Sequence, residues 1–127
     1  MTNLLLIAIG GAAGSVLRYG TSLALFRASE RAGWPWGTLA ANLIGCLLAG
    51  YVNGLLEARL IRPELRFLLT VGFLGGYTTF STFGHEATAY LRDGHYARAA
   101  AYVIVSNAAG LAIVFAGLAL ARLHRVT

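Results

Sequence analysis

The chain has 127 residues, 57% of them hydrophobic and only 12% charged, with a mean hydropathy of +0.67. A soluble domain carries about 25% charged residues, so this composition excludes an ordinary water-soluble enzyme or binding module and indicates an integral membrane protein. The formal net charge of +5 rests on ten basic residues, all arginine and mostly at the edges of apolar runs, which marks membrane interfaces and not a nucleic-acid surface.

Four charge-poor runs follow one another at residues 3–26, 32–56, 67–90 and 99–121. They predict membrane-crossing helices at about 3–26, 36–56, 65–90 and 97–122, which together form one four-helix transmembrane domain over residues 1–127. Each supplies the ~20 residues needed to cross the hydrocarbon core. The first run has no basic residue before Arg18, so it lacks the positive start of a signal peptide and is expected to be the first span. Arg18 itself lies deep in that run. A mid-membrane arginine costs at least ~2.5 kcal/mol on insertion scales, so it either snorkels to the interface or faces a water-filled vestibule where its charge favours anions.

The second run opens with Trp34, Pro35 and Trp36, an aromatic anchor around a helix-starting proline. Asn42 stands at its centre with Thr38 one turn earlier. An asparagine there either bonds a neighbouring helix or lines a pore. Cys46, the one cysteine, is expected to be a small buried residue.

The third run contains the most unusual stretch, GFLGGYTTFSTF from Gly72 to Phe83. Glycines and clustered hydroxyls are poor in a lipid-facing helix. Irregular backbone survives in a membrane only where protein covers it or it lines a polar cavity. The stretch therefore predicts a helix broken at mid-membrane, with the glycine-rich half, Gly72 to Thr78, as the break. Phe80 and Phe83 share a face if the helix resumes, with Ser81 and Thr82 between them. Two such rings either pack in the core or, because ring edges are electropositive, line an anion path together with the hydroxyls. In the fourth run Tyr102 and Ser106 are one turn apart and Asn107 points elsewhere. The spans also carry glycine pairs four apart, such as Gly10 and Gly14, which let helix backbones approach. No nucleophile–base pair, metal-ligand cluster or phosphate loop is present in the sequence, so an enzyme is not expected.

GGAAGSVLRY (Gly10 to Tyr19), GTLAANLIG (Gly37 to Gly45) and GFLGGYTTFSTF, in that order, resemble the three signatures of the Fluc/CrcB family of fluoride channels. The resemblance covers the whole chain. It implies a passive channel of the cell (inner or plasma) membrane that leaks cytoplasmic fluoride outward, built as an antiparallel, dual-topology homodimer with two pores. It implies a structural Na+ at the dimer centre, held by the backbone carbonyls of Gly75 and Thr78. It carries the pore phenylalanines onto Phe80 and Phe83, the pore asparagine onto Asn42, the vestibule arginine onto Arg18, and polar track positions onto Tyr102 and Ser106. Glu86 matches a glutamate that some relatives place near the pore. Gly110 departs from the family, which often has Ser or Thr there. The partners expected are fluoride, a second copy of the chain and the lipid bilayer, with no nucleic acid. A four-span proton-coupled drug exporter fits less well, because it needs an intramembrane carboxylate where this first span has Arg18. A non-transporting scaffold has no use for Asn42, Thr38, Ser81 and Thr82 at mid-depth.

Four spans would put both termini and the second connector on one side. That side would hold Arg59, Arg62, Arg66, Arg122 and Arg125, five arginines against the four of the other side, Arg27, Arg31, Arg92 and Arg98. So small a bias barely orients the chain, and insertion both ways is the expectation. Reporter tags at the C-terminus should therefore signal from both compartments; a signal from one alone contradicts mixed insertion.

Overall fold

The computed structural model describes residues 1–124 and is mostly helical, with no strand among those residues. Arg125, counted above, lies outside them. The helices are α1 (Thr2–Ala24), α2 (Phe26–Ala32), α3 (Trp36–Glu57), a π-helix (Phe67–Leu74), α4 (Gly75–Tyr77), α5 (Phe80–Arg92) and α6 (Tyr96–Leu123). Three of them, α1, α3 and α6, are long and apolar enough to cross a membrane, at 23, 22 and 28 residues. At about 1.5 Å per residue each exceeds the ~30 Å hydrocarbon core.

The sequence placed a charged connector directly after the first span. The chain instead kinks at Leu25 and continues as the short helix α2, which stops at Gly33 in left-handed conformation, φ 58°. Glycine reaches that conformation without steric cost. The Tyr90 hydroxyl donates to the Gly33 carbonyl and ties this turn to α5.

The stretch expected to be the third crossing is in pieces, and none of them spans a bilayer alone. The break also falls later than expected. Gly72 lies in the π-helix and Gly75 and Gly76 begin α4; the extended residues are Thr78 and Thr79. The reason is that two of the glycines serve packing. A Cβ on Gly76 would overlap the Gly11 carbonyl oxygen of α1, and one on Gly72 would come 2.7 Å from the Ile7 carbonyl oxygen. The contact is mutual, since a Cβ on Gly10 or Gly14 would overlap the carbonyl oxygens of Leu68 or Phe73. So α1 lies backbone to backbone on the π-helix and α4.

Helices α3 and α6 make the other extensive pairing. There a Cβ on Gly50 would overlap the Val114 carbonyl oxygen, and one on Gly117 that of Leu47. Cys46 beside this seam is half-buried, not buried as expected, because it borders an open hollow that also contains Asn42 and Phe80.

Adding a methyl group to such a seam forces the helices apart, at a typical cost of about 1–3 kcal/mol. Gly14→Ala should therefore lower the thermal unfolding midpoint of the detergent-purified protein clearly. Gly20→Ala, inside α1 where nothing lies within 4 Å, should leave the midpoint unchanged or raise it, because alanine is the better helix former by about 0.5–1 kcal/mol. Equal shifts would contradict the seam.

Candidate functional site

The site starts where the third apolar stretch loses its helix. Thr78 and Thr79 are extended, with ψ of 158° and 113°. A peptide group left unpaired in an apolar bundle costs several kcal/mol, so the break has to be served from another element. Asn42 of α3 serves it. Its Oδ1 accepts from the Thr79 N–H at 2.8 Å, and its Nδ2 donates to the Thr79 carbonyl at 3.1 Å. A carboxamide carries the same donor and acceptor as a peptide, so Asn42 takes the place of the missing backbone partner. Thr79 then caps α5: its Oγ1 accepts from the Thr82 N–H at 3.2 Å and donates to the Thr82 Oγ1 at 3.0 Å. The Ser81 Oγ, on the exposed side, lies 3.3 Å from the same hydroxyl.

Helix α5 next presents Phe80 and Phe83, whose ring centroids are 5.6 Å apart, so they do share a face. Phe80 is 81% exposed and Phe83 only 9%. The Phe83 ring meets Tyr102 of α6 at 5.1 Å. About one turn further along α5, Glu86 accepts hydrogen bonds from the Thr38 and Tyr102 hydroxyls, both at 2.7 Å. One carboxyl group thus ties α3, α5 and α6 together. Ser106 follows Tyr102 by one turn, and its Oγ is buried without a hydrogen-bond partner. Asn107 is exposed and donates back to the Val103 carbonyl.

Arg18 is half-buried and lines a hollow of about 280 Å³ with Ser15, Ser22, Thr38, Thr79 and Thr82. Its Nε is buried with no partner, so a cationic group faces a space bordered by hydroxyls. A second hollow of about 430 Å³ is bordered by Asn42, Thr70, Gly75, Thr78, Thr79 and Phe80. Thr79 borders both. The sequence-expected residues other than Ser81, which is exposed and borders neither hollow, therefore fall into two groups. Arg18, Thr38, Asn42, Gly75, Thr78, Thr82 and Phe80 border these hollows, whereas Phe83, Tyr102 and Ser106 follow along α5 and α6.

Sequence reasoning missed two residues. Glu86 was given only a place near the pore, yet it is the acceptor that joins three helices. Tyr77 was overlooked; it is 2% exposed, stacks on Phe73 at 5.7 Å, and its hydroxyl lies 3.1 Å from the Thr21 Oγ1 of α1. A lone acid in an otherwise apolar segment was the one signal for the first; the hydroxyls that pair with it stand on α3 and α6.

Fold and site define a class: a membrane protein of apolar helices with a column of hydrogen-bonding groups built around a helix interruption. Comparison with known proteins is more specific. The family described as CrcB-like protein, Camphor Resistance (CrcB), matches residues 5–118. The chain is 47% identical over 124 residues to the fluoride-specific ion channel FluC of Chlorobaculum tepidum, covering 97% of both chains. It is 44% identical over 125 residues to the protein of that name from Chloroflexus aurantiacus, covering 96% of this chain and 97% of the relative. With that of Geobacter sulfurreducens it shares 45% over 123 residues, covering 96% and 98%. The chain belongs to the CrcB family, a family of ion channels and not of enzymes.

Removing one donor to Glu86 should weaken the helix junction. A hydrogen bond to a carboxyl group contributes about 1–3 kcal/mol, so Tyr102→Phe and Thr38→Val should each lower the thermal midpoint. Asn107→Ala, on the exposed side of α6, should leave it nearly unchanged. Equal effects of all three would show that the network carries no special weight.

Proposed function

We propose that the protein is a passive fluoride-selective channel that lets cytoplasmic fluoride leave the cell across the inner, or plasma, membrane. The observation that carries this reading is the column of polar groups on an otherwise apolar bundle: Asn42 and Thr79 at the break, the Phe80 and Phe83 rings beside it, then Thr38, Glu86, Tyr102 and Ser106. The relatives' name supports the choice of ion.

In this reading four segments cross the membrane, the third as the π-helix, α4 and α5 in succession. Fluoride is small and strongly hydrated, and its lost water must be replaced. Arg18 attracts the anion into the hydroxyl-lined hollow. The Phe80 and Phe83 ring edges, with Ser81 and Thr82, give it electropositive contacts past the break. Further on, the anion competes with the Glu86 carboxyl oxygens for the hydroxyl hydrogens of Thr38 and Tyr102, and then meets the unpaired Ser106 hydroxyl. Gly110 offers no hydroxyl at the next turn, so the track ends at Ser106. No energy source is needed, because an inside-negative potential drives a monovalent anion outward by ~2.3 kcal/mol per 100 mV.

The working unit is an antiparallel homodimer whose two-fold axis lies in the membrane plane, which brings two breaks together. The exposed apolar surface of the single chain is consistent with this: Phe80 is 81% exposed and Ile104 65%. A Na+ between the breaks fits the donor set. In a continuous helix the Gly75 carbonyl would accept from the Thr79 N–H, and the Thr78 carbonyl from the Thr82 N–H. Those two N–H groups are given to Asn42 Oδ1 and Thr79 Oγ1 instead. Both carbonyls are thereby released, and Gly75 is on the exposed side. When bound there, the cation would neutralise freed backbone oxygen at the dimer centre.

Purified protein in potassium-loaded liposomes tests the reading. After valinomycin, an electrode should register rapid fluoride release and little chloride release. Phe80→Ile and Asn42→Asp should slow fluoride release at least several-fold while the dimer still elutes as a dimer. No fluoride release, or equal chloride release, would refute the proposal.

A further inference from the structure

We propose that Asn42 and Thr79 are positioning residues for the cation site, and that their side chains are what make Gly75 and Thr78 carbonyls into ligands. This rests on the Na+ reading above and goes beyond it, because neither side chain is a ligand in that reading.

Each backbone carbonyl before the break has a potential N–H four residues on. For Gly75 it is Thr79, and for Thr78 it is Thr82. A carbonyl that accepts a helical N–H is a weaker and differently aimed cation ligand than a free one. The Thr79 N–H is withdrawn by Asn42 Oδ1 at 2.8 Å, and the Thr82 N–H by the Thr79 Oγ1 at 3.2 Å. By contrast, the Leu74 carbonyl stays engaged, because the N–H and Oγ1 of Thr78 both donate to it, at 3.0 and 2.9 Å. The diverted N–H groups are thus the helical donors of the Gly75 and Thr78 carbonyls, whereas the Leu74 carbonyl before them stays occupied.

Asn42 also returns a bond to the Thr79 carbonyl, from Nδ2 at 3.1 Å. That second bond holds the extended peptide but diverts no N–H. The two halves of the carboxamide thus have different duties. The oxygen releases the Gly75 carbonyl, and the nitrogen only fixes the peptide. Because Asn42 also borders the hollow with Phe80, one side chain serves both the cation site and the anion path, and the two duties can be separated by substitution.

The test reads sodium directly, without flux. The thermal midpoint of the purified full-length dimer is measured in detergent against rising NaCl, with N-methylglucamine chloride holding ionic strength constant. The wild-type midpoint should rise with sodium. Asn42→Asp keeps the acceptor for the Thr79 N–H and should keep the sodium response even though its fluoride release is slowed. Asn42→Leu and Thr79→Val remove the diverting acceptors and should raise the sodium concentration needed for half the stabilisation by about 10–100-fold, the usual effect of losing a group that orients a metal ligand. Thr79→Ser should restore the response. If Asn42→Leu fails to fold, the Thr79→Val and Thr79→Ser pair decides alone. A sodium response in wild type that is unchanged in Asn42→Leu and Thr79→Val overturns this inference and leaves the cation site standing. No sodium response in wild type overturns the cation site, and this inference with it.

Discussion

One peptide sets the terms for the rest of the structure. Thr79 sits extended in the middle of an apolar helical segment, and its N–H has no helical partner. Left unpaired in an apolar bundle, that group would cost several kcal/mol. The Asn42 Oδ1 accepts from it, and the Asn42 Nδ2 donates to the Thr79 carbonyl. Most of what is unusual in the chain follows from that exchange. The Thr79 hydroxyl is free to cap α5, the Gly75 and Thr78 carbonyls lose their helical donors, and the rings of Phe80 and Phe83 are placed on one face directly after the interruption.

For Asn42 to reach Thr79, the two helix pairs of the bundle must be held in register. The seams without side chains achieve this. Gly10 and Gly14 bring α1 onto the π-helix and α4, and Gly50 and Gly117 bring α3 onto α6. Backbone contact fixes helix position more tightly than interleaved long side chains, because there is little left to repack. The hydrogen bonds then link one pair to the other: Asn42 joins α3 to the break, and Glu86 joins α5 to Thr38 of α3 and Tyr102 of α6. Packing supplies the position and the polar groups supply the connection.

The apolar runs, and with them the helical character, were legible in composition, since three of the helices are long and apolar enough to show it. Asn42, the Phe80–Phe83 face and the Tyr102–Ser106 face were legible from polarity and helical spacing. The exact break was not. Gly72, Gly75 and Gly76 read as helix breakers, but two of them are needed where α1 touches, and a helix tolerates glycine when a seam requires it. Thr79 fell just past the expected break and looks like an ordinary helix residue until Asn42, 37 positions away, offers its backbone another partner. Glu86 was hidden for the same reason: its partners lie 48 residues earlier and 16 later. Periodicity describes one helix at a time, and these features exist only between helices. Cys46 was placed in the core because an isolated small residue in an apolar run usually lies there, whereas this one borders a hollow.

The central claim is that Asn42 holds the Thr79 peptide out of the helix. Amide exchange on protein labelled with ¹⁵N-threonine in detergent tests it most directly, because few threonines contribute signals. The account predicts that the Thr79 amide is protected in wild type and exchanges much faster in Asn42→Leu, with the Thr88 amide of α5 as the unaffected reference. Equal protection of Thr79 in both proteins would mean that the backbone holds itself, and would contradict the account.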